Sequence, residues 1–370
     1  MTGSIDGGDE RPSPSTITAT AKVGLSMSGN PFARIALLFV GVVLLSFLVL
    51  YLAADPLRFL PSFHHGLSPV KNDVELKRVL DNATMENKTV IITTVNDAWA
   101  EPDSILDVFL ESFRVGDGTS KLVKHLVIVC LDQKAYNRCQ EKHPHCYALK
   151  TQGVDFSGEA LFMAPDYLEM MWTRIRLLTD VLAMGYNFVF TDADIMWLRD
   201  PFKHFYPKAD FQIACDHFIG DSYSRNNSPN GGFTFVRSNH RTILFYKFWY
   251  NSRTKYPGLH DQHVLNEIKN DTSITKEIGL KMRFLDTSYF GGFCEPSKDF
   301  NEVCTMHANC CVGLENKVLD LKIVIQDWGE FQSLPPNQKS RQSQAKWGVP
   351  QHCSMYYHPQ ERKIKDEQHH

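Results

Sequence analysis

The sequence predicts an α/β fold, with a mostly parallel central sheet flanked by helices, standing behind a single N-terminal transmembrane helix. Three observations carry that expectation. Short apolar runs alternate with amphipathic ones across residues 89–335, the pattern of βαβ units. One apolar run, Asn187 to Phe190, leads directly into two carboxylates, Asp192 and Asp194. In open parallel sheets ligands gather at the carboxyl ends of strands. Finally, residues 35–54 carry no charge and reach the roughly 20 residues that a helix needs to cross a bilayer.

In chain order, residues 1–34 are rich in Ser, Thr and Gly and read as a disordered cytosolic tail. Residues 35–54 read as a signal anchor, because their apolar core is too long for a cleaved signal peptide. Residues 55–88 form a Pro-punctuated stem whose last part is expected to be helical. Thr89 to Val95 is a buried strand, Ser104 to Phe113 a helix, and His125 to Leu131 a second strand. Asp166 to Met184 is a strong helix, with Leu168, Met171, Ile175, Leu178 and Leu182 on one stripe and Gly185 to stop it. The strand Asn187 to Phe190 comes next. Phe211 to Cys215, Gly232 to Val236 and Lys281 to Leu285 are later strands, and a helix over Val318 to Trp328 packs back on the sheet. Residues 336–370 are expected to be a partly disordered extension of the domain at 89–335.

All nine cysteines come after the apolar segment, as do four glycosylation sequons at Asn82, Asn87, Asn226 and Asn270. Both features suit an oxidising lumen. Nine is odd, so at least one thiol is unpaired within the chain. Cys139, His143, His145 and Cys146 are too closely spaced for a usual zinc site, and a Cys139–Cys146 bridge is expected instead. The net charge of −3 gives no reason to expect nucleic acid.

Side chains alternate along a strand, so Asp192 and Asp194 can face the same way and offer hard oxygen ligands to Mg²⁺ or Mn²⁺. The bland alternative is a strand stopping at a polar turn, with Asp194 and Asp200 as caps. Asn230, Gly231 and Gly232 either let a backbone approach a ligand or make an ordinary turn. Asp261 and Gln262 begin a helix, where Asp261 is also a good N-cap residue. His307 suits Mn²⁺ and Lys317 suits a diphosphate, though a lone His is commonly just a polar contact.

Taken in order, these motifs resemble the retaining glycosyltransferases of the GT-A fold. The nearest resemblance is to the plant nucleotide-diphospho-sugar transferase family, glycosyltransferase family 77. It rests on Thr191 to Pro201 (TDADIMWLRDP), Asp216-His217, Asn230-Gly231-Gly232 and His307-Ala308-Asn309-Cys310-Cys311, and covers about residues 89–334. The resemblance implies that Asp194 and His307 ligate Mn²⁺ or Mg²⁺, and that Asp192 binds the metal or the donor ribose. It places Asn230, Gly231 and Gly232 at the donor sugar, Lys317 at the diphosphate, and Thr93, Val95 and Asn96 at the uracil and ribose. Arg174 matches a basic donor-side position. On a helix it falls about 80° from the centre of the apolar stripe, while Arg176, about 120° away, is expected to be solvated. Asp261 and Gln262 are expected at the catalytic face, with Glu295 as the next acceptor-side carboxylate. The spacing H-x5-G-x3-K departs from the shorter family form, and Cys310 and Cys311 suggest a disulfide clamp in that loop.

The implied activity is transfer of a pentose or galactose from a UDP-sugar to a hydroxyl of a cell-wall glycan or glycoprotein, with retention. The implied location is the Golgi membrane, as a single-pass type II protein. Two readings compete. A haloacid-dehalogenase-like phosphohydrolase would use Asp192 as nucleophile, and a non-catalytic glycan-binding protein would keep the fold alone.

Overall fold

A computed structural model describes residues 40–46, 73–150, 156–158, 163–339 and 345–353. The chain divides into two units, residues 1–70 and 71–370. In the first, residues 40–46 are helical, and the rest of the expected tail and anchor lies outside the described residues. Among the described residues no helix is long and apolar enough to cross a membrane.

The second unit starts before the expected domain boundary. Helix α1 (Asp73–Ala83) buries Leu76, Val79, Leu80 and Ala83, which recur at helical spacing and so form one face against the sheet. The end of the expected stem is therefore part of the fold. Then come β1 (Thr89–Val95), α2 (Asp97–Ala100), α3 (Ile105–Val115), β2 (Leu126–Cys130), α4 (Gln133–Lys142), β3 (Cys146–Ala148), α5 (Pro165–Ala183) and β4 (Asn187–Thr191). Strands β3-β2-β1-β4 lie side by side and all parallel, as the alternation of strands and helices requires. Residues on β1 alternate between two cores: Ile91 and Val95 face one side, Val90 and Ile92 the other.

Beyond β4 the chain adds β5 (Ile195–Trp197), β6 (Phe211–His217), β7 (Ser228–Val236), α6 (His240–Ser252), α7 (Asp261–Ile268), β8 (Met282–Phe284), β9 (Phe290–Gly292), β10 (Thr305–His307) and α8 (Leu314–Ser333). The large sheet runs β3-β2-β1-β4-β7-β6-β8. Strand β7 is antiparallel to both β4 and β6, while β8 is parallel to β6. A separate small sheet, β5-β10-β9, forms beside it. Helix α8 extends well past the expected Val318–Trp328, because its first turn carries Glu315, Asn316 and Lys317, which belong to no apolar stripe.

Three disulfides form. Cys139–Cys146 ties α4 to β3, as expected, and Cys294–Cys310 and Cys311–Cys353 hold the loop before α8. Cys130, Cys215 and Cys304 are free and buried. Residues 345–353, expected as part of a loose extension, lie against the core, with Val349 and Cys353 buried.

Candidate active site

The site is built where β4 ends. The Asp192 N–H donates to the Gly232 carbonyl (2.7 Å), and the Ile195 N–H reaches back to the Asp192 carbonyl (3.2 Å), so the chain reverses into β5. Trp197 secures the reversal. Its ring is buried, stacks on Phe113 at 4.7 Å and donates from Nε1 to the Thr191 hydroxyl (3.2 Å). Asp200 makes a local turn contact, accepting from the Phe202 N–H two residues on, while Pro201 holds the cap position of the short helix that follows.

Asp194 has a different role. Strand β10 pairs antiparallel with β5, setting His307 opposite Ile195, and the Ala308 N–H donates to the Asp194 carbonyl (3.0 Å). Asp192, Asp194 and His307 thereby bring one ligand atom each to within 4.8 Å of one another. His307 Nε2 stands 3.2 Å from Asp194 Oδ1, yet that buried oxygen accepts no hydrogen bond. Lys317 Nζ, from the start of α8, lies 2.5 Å from Asp194 Oδ2. An orphaned carboxylate oxygen, a facing imidazole nitrogen and a second carboxylate fit a divalent cation. Gly232 leaves the room for it. A Cβ there would sit 2.6 Å from Asp192 Oδ2 and 2.7 Å from His307 Cε1.

A second cluster adjoins the first through Arg174. Its Nη1 donates to Asp192 Oδ1 (2.9 Å), its Nη2 to Asp261 Oδ2 (2.6 Å), and its guanidinium lies over the Phe190 ring at 4.8 Å. Arg174 is buried, while Arg176, expected to be solvated, is half-buried. Asp261 occupies the first turn of α7. The cap position belongs to His260, whose ring accepts from the Gln262 N–H, as Asp261 Oδ1 also does (2.9 Å).

Electrostatics divide the carboxylates. Burial works against the charge on Arg174, but Asp261 and Asp192 outweigh it and keep the guanidinium a fixed cation. Burial pushes Asp261 up, and Arg174 and His260 more than reverse it, holding its carboxyl well below the usual range. Burial likewise raises Asp194, and Lys317 and His307 pull it far below that range. For Asp192 burial prevails: it lies above its ordinary value, with Arg174 opposing and the charge of Asp194 adding to the rise. A cation held by these groups would lower both.

The remaining groups meet at Asp216, on β6. Its carboxylate accepts from Asn230 Nδ2 (2.7 Å), Asn309 Nδ2 (2.8 Å) and Gln262 Nε2 (2.9 Å). Gln262 Oε1 in turn accepts from the Gly231 N–H (2.9 Å), and Asn230 Oδ1 from the Gly232 N–H (2.8 Å). One carboxylate thus aligns β7, α7 and the loop after β10. In the sequence Asp216 stands out only within a shared dipeptide. Its position at a strand end, like that of Asp192, is the available signal.

Thr93 and Val95 are buried on β1, and the Thr93 hydroxyl has no hydrogen-bond partner. Asn96 is committed locally: it caps α2 through the Trp99 N–H and donates to the Phe156 (2.9 Å) and Gly158 (2.8 Å) carbonyls. The Trp99 ring, which no sequence motif singles out, lies 5.7 Å from Lys317 Nζ and links the end of β1 to the cluster around Asp194. Glu295 has partners of its own. It accepts from the Phe218 N–H (2.7 Å) and holds the loop after β6.

Comparison with known proteins adds four findings. The profile of the nucleotide-diphospho-sugar transferase family matches residues 121–321. An uncharacterized protein of Arabidopsis thaliana is 54% identical over 281 residues, covering 75% of this chain and 73% of its own. A UDP-D-xylose:L-fucose alpha-1,3-D-xylosyltransferase of Arabidopsis thaliana is 22% identical over 256 residues, covering 63% of this chain and 64% of its own. Among solved structures, mouse xyloside xylosyltransferase 1 aligns with a TM-score of 0.35 at 14% identity, over 60% of this chain and 98% of that one. That structural likeness is too slight to support anything further.

Proposed function

Because the chain belongs to the nucleotide-diphospho-sugar transferase family, we propose that it moves a pentose or galactose from a UDP-sugar to a hydroxyl of a glycan or glycoprotein, with retention of configuration. The observation that carries the reading is the convergence of Asp192, Asp194, His307 and Lys317 at the end of β4. The three ligands would hold Mn²⁺ or Mg²⁺, which when bound neutralises charge on the leaving diphosphate. Lys317 exchanges its contact with Asp194 for a phosphate oxygen, and it stands in the first turns of a 20-residue helix whose N-terminus favours anions. Gly231 and Gly232 keep the floor of the site free of side chains. Asp261 is held ionised by Arg174, so it orients that guanidinium and through it Asp192. This arrangement favours same-face attack, with the leaving phosphate taking the acceptor proton, over a covalent intermediate on Asp261.

The test combines a UDP-sugar screen on the full chain with one variant. Asp194→Ala is expected to weaken Mn²⁺-dependent UDP affinity by at least about 100-fold, more than the loss of an outer-shell partner does. Calorimetry showing unchanged affinity removes Asp194 as a ligand and the reading with it.

For location we propose the Golgi membrane, with residues 35–54 as a type II anchor and the catalytic unit lumenal. Support comes from the uncharged segment, the three disulfides and the exposure of Asn82, Asn87, Asn226 and Asn270. Protease treatment of sealed microsomes is expected to remove only the tail before Arg34. Digestion of the catalytic unit reverses the orientation.

A further inference from the structure

We propose that residues 345–353 form a strap that sets the geometry of the loop from His307 to Lys317, with Asp320 and Cys353 as positioning residues. The inference rests on the reading of that loop as the metal and diphosphate loop. His307 ends β10, and Lys317 stands in the first turns of α8, so the loop carries one group of the site at each end. Between them the backbone is unusual twice. Cys310, which is not glycine, has φ 57°, and Gly313 has φ 92°. A non-glycine residue keeps such a conformation only where its surroundings insist on it. The first turn of α8 also lacks a side-chain cap, since Gly313 occupies that position.

What insists is a pair of bridges from adjacent cysteines to two different parts of the chain. Cys310 is joined to Cys294, in the β9–β10 connection, and Cys311 to Cys353. The second bridge is backed by the whole strap. Trp347 donates from Nε1 to the Ser297 carbonyl (2.8 Å), and its ring lies 4.4 Å from Phe300. The Gly348 N–H donates to Asp327 Oδ2 (2.7 Å). At the end of the strap the Asp320 carboxylate, 0% exposed, accepts from the N–H groups of Gln351 (3.1 Å), His352 (3.0 Å) and Cys353 (2.9 Å). A buried carboxylate needs such donors, and these are supplied only when the strap is in place. Cys353 Sγ then lies 3.7 Å from the carbonyl of Asn316, the residue before Lys317. The strap thus runs along α8 from Asp327 through Asp320 to its uncapped first turn, and pins that turn to the loop through Cys311.

The experiment uses the full chain, with Mn²⁺-dependent UDP affinity and melting temperature as separate readouts. Cys353→Ser and Cys311→Ser are each expected to weaken the affinity by about 10-fold or more, in the range of outer-shell positioning residues, with the double variant no worse than either. The Cys139→Ser/Cys146→Ser variant removes a bridge of α4 and β3, and should lower the melting temperature while leaving the affinity within about twofold. Asp320→Asn keeps every cysteine and should still weaken the affinity, so the idea survives a cysteine variant that fails to fold. If Cys353→Ser and Asp320→Asn both bind Mn²⁺ and UDP as the native chain does, the strap positions nothing. If the native chain itself shows no metal-dependent UDP binding, the reading of the loop fails instead.

Discussion

Arg174→Met is expected to abolish measurable transfer and to cost about 3–5 kcal/mol of stability, the usual consequence of removing one partner of a buried ion pair. The guanidinium is the shared counter-charge of Asp192 and Asp261, at 2.9 and 2.6 Å. Asp261 is 1% exposed, so without Arg174 its charge has neither water nor an equivalent partner. The melting temperature should fall by about 10 °C in a domain of this size. Arg174→Lys should be intermediate, because one ammonium cannot reproduce the planar fork that spans two carboxylates. The decisive measurement is the pair Arg174→Met and Arg174→Met/Asp261→Asn. The double variant should melt above the single, since it leaves one fewer buried charge without its partner. A single variant that melts with the native protein would show that the two carboxylates have other partners and that the pair does not organise the site.

Gly232→Ala is expected to reduce transfer by more than about 100-fold at a stability loss of about 1–3 kcal/mol, typical of overpacking. The added methyl would lie 2.6 Å from Asp192 Oδ2, 2.7 Å from His307 Cε1 and 2.9 Å from Asn230 Oδ1. All three are ends of side chains, so the fold can yield, but two belong to the cluster that would hold the cation. The neighbouring glycine is the control. At Gly231 a methyl meets nothing closer than Arg174 Nη2 at 3.6 Å, an ordinary contact. Gly231→Ala should therefore keep the Mn²⁺-dependent UDP affinity, and any loss of transfer it shows reports on the space of the donor sugar. Equal metal affinity in Gly232→Ala and the native chain would detach that glycine from the metal site.

The parallel half of the fold was legible because its information is local. The apolar runs of β1, β2 and β4 each stand out on their own, and the helix before β4 shows its stripe in five residues, whereas β3 is only three residues long and gives no such signal. Asp194 could be placed at a strand end because the strand announces itself immediately before the acid. The second half depends on pairing across long separations. Nothing near Gly232 says that its strand runs antiparallel to β4. The three-residue strands β5, β9 and β10 are too short to show a period. The hub at Asp216 takes its meaning from Asn230, Gln262 and Asn309, which arrive from three different elements. For Asp261 the sequence offers both a place at the catalytic face and a helix cap, because it displays a residue's neighbours along the chain but not Arg174, which the fold packs against it. The segment around Trp347 was set aside as an extension because its only strong signals, one Trp and one Cys, act through partners at least 40 residues away.

The pairing of β5 with β10 has one more consequence, for how the molecule comes into being. Asp194 and His307 become neighbours only when Ile195 and His307 fall opposite one another in that ladder. A slip of one residue in either strand would turn the imidazole to the other face of the small sheet while the strands still paired. Loss or gain of a single codon within residues 195–197 or 305–307 should therefore silence the enzyme far more thoroughly than most substitutions there. The ladder also joins segments more than a hundred positions apart, a closure that forms late because so much chain must be ordered first. Until β10 has been synthesised and docked, the emerging polypeptide has the acids of β4 but no histidine beside them. A growing or truncated chain that stops before β10 would then be inert toward nucleotide sugars, and activity would begin only once that strand has docked.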